Sequence, residues 1–411
     1  MPKQWDLLII GGGASGMAAA VSAARNGENV LLLEKSSALG KKISASGNGR
    51  CNLMNISDPV YYGDPDFVLA SFRSFSSTDL LDFWNDAGLF LTQEDAGRIY
   101  PRTLQASSVM DILKAHLRIN HVEMILQSAV TAVRKENDLF VVSSSKGIFY
   151  SKRLLIATGG KAYPRLGGND SGYSFLQSFG HHIITPVPAL CPLCTDSKSI
   201  SGLSGIRVRC KLSLINHQGK ELFSTRGEVL FTDYGISGIC AMQCARLIDG
   251  DGCTVHLDLA DRIEQDNQSL YLTLIERHKR FSSLPPEYLL NGILVPRLSF
   301  AVLKQADIST AGRNAGDLSE DEIFRAARQL RMYTLHITGS RGFDEAQVTA
   351  GGADCVEFDP STMESKIVKN LFASGEVLNV DGDCGGYNLM FAFISGILAG
   401  RNGLERKKDH Q

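Results

Sequence analysis

The residues near the start of the chain best placed to do chemistry are Gly11, Gly13, Ala14, Ser15 and Gly16, within the run Gly11-Gly12-Gly13-Ala14-Ser15-Gly16. A G-x-G-x-x-G spacing handles phosphate. The first glycine permits a tight turn, the second lets backbone approach a pyrophosphate, and the third lets helix and strand pack closely. The flanking segments agree with that chemistry. Leu7-Leu8-Ile9-Ile10 is a short apolar run of the kind a buried parallel strand uses. Met17 to Ala24 is a small-residue helix that Asn26-Gly27 would stop. Its N-terminus would offer free N–H groups and the positive dipole end to a phosphate. A second strand, Val30-Leu31-Leu32-Leu33, ends on Glu34, with Lys35 beside it. An acid at that place accepts hydrogen bonds from an adenosine ribose and repels a 2′-phosphate, which excludes NADP from this site. The motif alone does not separate FAD from NAD.

The next segments favour FAD. After the second strand an NAD domain would run into another helix and strand. This chain gives instead Gly40 to Asn52, rich in Gly, Ser, Asn and cations and without an apolar period of 2 or 3.6. Such a segment is expected to lie as a loop around a long polar ligand, with Gly47, Asn48, Gly49, Cys51 and Asn52 in contact and with Lys42 and Arg50 neutralising phosphate. Arg153 to Ile156 is an apolar strand that ends in Thr158-Gly159-Gly160, and Leu371 to Ser374 repeats the form before Gly375-Glu376. Asp381-Gly382-Asp383-Cys384 then leads through Gly385-Gly386-Tyr387-Asn388 into an apolar helix, Leu389 to Ala399. A Gly-rich turn at that helix start would aim N–H groups at the pyrimidine end of a flavin, and Glu376 or Asp381 would hold ribityl hydroxyls.

The N-terminal fingerprint, Ser46 to Asn52, and Gly375-Glu376…Asp381…Gly385-Gly386-Tyr387-Asn388-Leu389 together resemble the bacterial three-domain FAD-dependent oxidoreductase family that includes aminoacetone oxidase and a bile-acid 3-dehydro-Δ4,6-reductase. Asp233 to Gly238 and Gln347 to Gly352 are similar to internal motifs of that family. The resemblance implies an α/β protein, with a Rossmann-like FAD-binding domain interrupted by a β-barrel-like domain that itself carries a small helical insert. The residue patterns give the boundaries. The FAD domain is expected at 1–190 and 340–411. The barrel is expected at 191–256 and 323–339, where Ile206 to Ile215 and Leu330 to Thr338 alternate with period 2. The helical insert is expected at 257–322, where Leu270 to Arg277 has a helical period. The charged tail Glu405 to Gln411 is expected to fray.

The same resemblance permits two chemistries. One is a reductase that takes hydride from NAD(P)H, docked transiently on the flavin face, and reduces a conjugated C=C bond in a hydrophobic, steroid-like enone. The other is an oxidase of a small amino ketone that passes electrons to O2. The first is preferred. Tyr163, Tyr234 and Tyr387 lie beside the motifs as candidate proton donors, and none is assigned a catalytic role.

Composition narrows the partners. Lys plus Arg is 42 and Asp plus Glu is 44, a net charge of −2, which gives no general support to an RNA-modifying flavoprotein despite the shared front end. Arg207, Arg209 and Lys211 alternate on one strand and read as a solvated face. The expected partner is a small molecule, with no nucleic acid and no membrane. Nine scattered cysteines fit reduced thiols, and with no export signal or spanning segment the expected compartment is the cytoplasm. Cys191-Pro192-Leu193-Cys194 lacks a second ligand pair for zinc, so no metal is expected, and Cys240 and Cys244 are expected to pack.

Overall fold

The computed structural model describes residues 3–248, 252–263 and 266–401. The expected frayed tail lies outside them. Two compact units are present: residues up to Pro188 together with those from Phe343 onward, and Ala189–Gly342.

The first unit is built on a seven-stranded sheet. Glu123–Ile125, Val30–Leu33, Gln4–Ile10 and Gly147–Ile156 run side by side and parallel, and Leu139–Ser144 and Val130–Glu136 extend the sheet as an antiparallel meander. Leu371–Ala373 pairs parallel with Leu154–Ile156, which brings a strand from the far end of the chain into the sheet. Val30–Leu33 is buried at every position, as a strand covered on both faces must be. The Ala14–Arg25 helix ends where Asn26 and Gly27 return their N–H groups to Ala23 and Ala24.

Tyr387–Arg401 is the second organising helix. It is apolar on every side, which is the signature of a fully buried helix, and it lies along Ala14–Arg25. Small residues permit the approach: a Cβ on Gly396 would stand 2.2 Å from the Ser15 carbonyl oxygen, and one on Gly400 2.4 Å from that of Ala19. Ser22 Oγ donates to the Ile397 carbonyl at 3.2 Å across the same seam. On the helix's other side Phe393 meets the buried Trp84 edge to face, with ring centroids 4.9 Å apart.

The second unit contains a closed, antiparallel six-stranded barrel in the order Leu193–Thr195, Gly235–Ser237, Glu221–Phe231, Arg207–Ile215, Thr254–Asp258, Tyr333–Ser340. Along Arg207–Ile215 the buried residues are Cys210, Leu212 and Leu214, so the period-2 pattern points one face inward. The helices Asn267–Arg280, Pro296–Gln305 and Glu320–Arg331 accompany it.

Two local expectations change. Leu330 is helical, because Glu320–Arg331 runs past the point where alternation was read. A Ser319/Glu322 capping box starts that helix, and Ile323, Ala326, Ala327 and Leu330 bury its inner stripe, so the strand begins only at Tyr333. The segment after the second strand is not an irregular loop either: Lys41–Ala45 is a short helix and Ser46–Gly49 a 3-10 turn. A single apolar residue, Ile43 at 1% exposure, anchors that helix, and one residue produces no period.

All nine cysteines are free thiols. Cys240 and Cys244 are buried at the Ile239–Gln243 helix, and burial pushes both thiols up, Cys244 to about 12. Among the described residues no helix is long and apolar enough to cross a membrane, and no group of three His, Cys, Asp or Glu is arranged to hold a metal ion.

Candidate cofactor site

The first half of the site is the turn between Gln4–Ile10 and Ala14–Arg25. Gly11 has φ +112°, and a Cβ there would sit 2.4 Å from the Ala157 carbonyl oxygen, so only glycine lets the turn lie on the neighbouring strand end. A Cβ on Gly16 would be 1.9 Å from Gly11's carbonyl oxygen. Gly13, by contrast, faces open space: a Cβ there would meet nothing within 4 Å. Gly13 caps the helix without a side-chain acceptor and no acid stands in the first turn, so the helix opens with its N–H groups uncommitted to side chains. Glu34 is fixed at the end of its strand, Oε2 accepting from Gly12 N at 2.8 Å and Oε1 from Ser36 N at 2.7 Å. Lys35 is exposed beside it. Ala14 is part-buried, and Ser15 is buried with Oγ 3.3 Å from the Ser374 carbonyl.

The segment from Lys41 to Asn52 meets the other two motifs. Lys42 Nζ is 2.8 Å from Glu376 Oε2, with side chains 30% and 20% exposed. Glu376 Oε1 accepts from Thr349 N at 2.9 Å, and Thr349 Oγ1 accepts from Ala162 N at 3.0 Å. Gly160 packs on this pair, since a Cβ would be 2.5 Å from Thr349 Oγ1, and Gly159, at φ +69°, lies beside Lys42 Nζ. Thr158 packs against Gly172, whose Cβ would meet Thr158 Oγ1 at 2.0 Å. Gly47, Asn48 and Gly49 all take left-handed backbone. Arg50 forms an ion pair with Glu94 and stands 4.5 Å above the Tyr100 ring, so its charge is matched by a carboxylate of the protein. Cys51 is fully buried, and burial pushes its thiol up to about 12.

The last motif closes over this segment. Gly375 donates its N–H to Ser395 Oγ at 3.0 Å, and Asp381 is buried on Val380–Gly382, a strand paired antiparallel with Tyr61–Gly63. Asn388 brackets Gly382, accepting its N–H and donating to its carbonyl, both at 2.8 Å. Gly385 carbonyl accepts from Asn55 Nδ2 at 2.9 Å, and a Cβ on Gly386 would be 2.7 Å from Asn52 Oδ1. Leu389 is a partly buried member of the core. Tyr387 donates its hydroxyl to the Asp58 carbonyl at 3.2 Å and burial raises its pKa, which commits that hydroxyl to the protein. Tyr163 is in the same unit, with left-handed backbone at φ 53°. Tyr234 belongs to the other unit, beneath Arg341.

These residues fit an extended FAD. Asn52 Oδ1 and Ser374 Oγ are buried without a hydrogen-bond partner among the described residues, and open space lies over Gly13 beside the uncommitted helix end. Polar atoms left in that state carry a desolvation penalty unless a ligand satisfies them.

The sequence profile of the HI0933-like protein Rossmann domain matches residues 5–402. The chain belongs to the HI0933-like family of FAD-dependent oxidoreductases. The 3-dehydro-bile acid delta(4,6)-reductase of Clostridium scindens is 36% identical, covering 97% of this chain and 98% of the relative. The ribosomal RNA dihydrouridine synthase of Haemophilus influenzae is 29% identical, covering 96% of this chain and 97% of the relative. Among solved structures, a 3-ketosteroid-delta4-(5alpha)-dehydrogenase from Rhodococcus jostii RHA1 aligns with TM-score 0.48 at 14% identity, covering 97% of this chain and 96% of that chain.

Thr349, Ser374, Ser395 and Asn55 contact these segments, and no spacing in the sequence marks them. Thr349 lies within Gln347 to Gly352, yet a lone hydroxyl carries no spacing signal. Its role comes from Glu376 and Gly160, which are distant in sequence and adjacent in the fold.

Proposed function

We propose that this FAD-dependent oxidoreductase reduces a C=C bond conjugated with a carbonyl in a hydrophobic, steroid-like substrate, with electrons from NAD(P)H. The observation that carries this reading is the 36% identity, over nearly the whole of both chains, to a 3-dehydro-bile acid delta(4,6)-reductase. FAD, when bound, supplies the hydride carrier. The chain's own part is binding and orientation. Gly13, Ala14 and Ser15 present helix N–H groups to the pyrophosphate, and Glu34 takes the ribose side. Lys42 and Glu376 lie beside Gly159 and Gly160, and Asp381, Asn52 and the Gly385–Leu389 turn meet the ribityl chain and ring. Tyr387's hydroxyl is tied to the Asp58 carbonyl, so that tyrosine is not the proton donor in this reading.

A second reading keeps the bond and changes the molecule. Making dihydrouridine from uridine also saturates a C=C bond conjugated with a carbonyl, and the 29% identity to a ribosomal RNA dihydrouridine synthase supports uridine in RNA as the substrate.

An anaerobic titration of the FAD-loaded protein with NADH and NADPH tests the first step through the visible flavin absorbance. Prompt bleaching by either donor, followed by reoxidation with a 3-keto-4,6-diene steroid, is the expected result. Reoxidation by unmodified ribosomal RNA and not by the steroid selects the second reading. A flavin band that neither donor bleaches overturns both.

A further inference from the structure

Away from the cofactor site, the second unit carries a cavity of about 380 Å³ on the outer side of its barrel. Lys211 from the Arg207–Ile215 strand line it together with His256 and Asp258 from Thr254–Asp258, and Arg328 and Arg331 from the Glu320–Arg331 helix. Glu221 adds a second carboxylate. The barrel core does not need these groups, since it is made from the inward residues of the same strands, such as Leu212, Leu214, Val255 and Leu257.

The cations differ in what holds them. Arg331 is fixed: its Nη1 donates to Asp258 at 3.1 and 3.4 Å and its Nη2 to the Asp266 carbonyl at 3.3 Å. Neither Lys211 nor Arg328 has a carboxylate within ion-pair distance among the described residues. Asp258, which sits opposite Lys211 in the strand register, is already engaged by Arg331, and Asp261 is held by Arg226 Nε at 3.0 and 2.9 Å. Burial and the neighbouring His336 pull the His256 imidazole down, so at neutral pH it offers hydrogen bonding and no charge. Three cations therefore face two carboxylates, an excess of one positive charge, and they converge from a floor of strands and a wall of helix. Donors that converge from two sides suit the tetrahedrally spread oxygens of a phosphodiester better than the coplanar oxygen pair of a carboxylate.

We infer that this cavity is a binding site for a monoanionic phosphodiester-type group. Two sources share that chemistry: the pyrophosphate of a dinucleotide, in which each phosphate carries one charge, and the backbone of an RNA strand. The dinucleotide source rests on the NAD(P)H donor proposed above and the RNA source on the second reading.

Equilibrium binding to the FAD-loaded protein separates the sources, with ADP-ribose as a redox-silent dinucleotide probe and a labelled oligouridylate as the RNA probe. Arg328 and Lys211 lie on the surface, so Arg328→Glu and Lys211→Glu are expected to fold, as their melting curves would show. Each is expected to weaken one probe by about tenfold, the size of one lost phosphate contact. For RNA, each also lowers the slope of log affinity against log salt by about one unit. Lys279→Glu, an exposed change of the same charge near the far end of the Asn267–Arg280 helix, is expected to leave binding within about twofold. An effect on ADP-ribose alone assigns the cavity to a dinucleotide, and an effect on RNA alone assigns it to a polynucleotide. The inference fails if neither probe saturates, or if all three charge reversals weaken binding equally.

Discussion

Glu34 and Lys42 show how single residues divide their work between the fold and the ligand. Glu34 spends both oxygens on Gly12 and Ser36, so its carboxylate holds the glycine-rich turn in shape, and the proposed reading adds the ribose as its ligand partner. Glu34→Ala should leave two backbone N–H groups without acceptors, at about 1–3 kcal/mol. The expected result is a lower melting temperature together with an FAD dissociation constant raised at least about tenfold, read by fluorescence of released flavin. Lys42 reaches the site through Glu376. Lys42→Met should strip Glu376 of its cation but leave its Thr349 contact, weakening FAD by about tenfold while moving the melting temperature of the apoprotein little, because an ion pair that solvent still reaches contributes only about 1 kcal/mol. Retention of wild-type FAD affinity would remove Lys42 from the site.

At the scale of elements, the Glu320–Arg331 helix is set by its first turn. Ser319 caps it, and Glu322 both closes the capping box and pairs with Arg313 at 2.7 and 2.8 Å. Ser319→Ala should cost about 1 kcal/mol, measured by chemical denaturation. The Arg313 guanidinium, with help from Ser319, holds the Glu322 carboxyl down from 4.5 to about 2. A carboxyl lowered on folding contributes its stabilisation in full above the unfolded value of 4.5 and loses it as pH falls toward 2. Stability should therefore decline through that window, and Glu322→Gln should flatten the decline. An unchanged acid limb in Glu322→Gln would show that the Arg313 pair does not set it.

For the whole molecule, the decisive contact within the first unit is the seam between Ala14–Arg25 and Tyr387–Arg401. Gly396 and Gly400 stand against the Ser15 and Ala19 carbonyls, so a side chain there meets backbone that cannot move aside. Gly396→Val should cost about 3 kcal/mol or more and release FAD, because it parts the phosphate turn from Gly375 and Glu376. Normal FAD content and stability in that variant would show that the seam tolerates separation.

The sequence by itself determined what depends on near neighbours. Gly11 to Glu34 read as strand, turn, helix and strand because the glycine spacing and the apolar runs are local, and Leu389 to Ala399 read as a buried helix because it is apolar on every side. Alternation along Arg207–Ile215 marked a barrel strand for the same reason. Where one anchor stood alone, as Ile43 does, periodicity was silent, and at Leu330 a helical stripe and an alternating one shared the same residues until the Ser319 cap decided between them. Only the tertiary structure decided that Lys42 faces Glu376, that Arg50 spends its charge on Glu94, and that Asn52 and Ser374 have buried polar atoms without a partner among the described residues. The two ion pairs join residues 334 and 44 positions apart, and no local spacing encodes them. The Lys42 contact exists because Leu371–Ala373 enters the sheet beside Leu154–Ile156 and a glycine seam lets the last helix lie against the first.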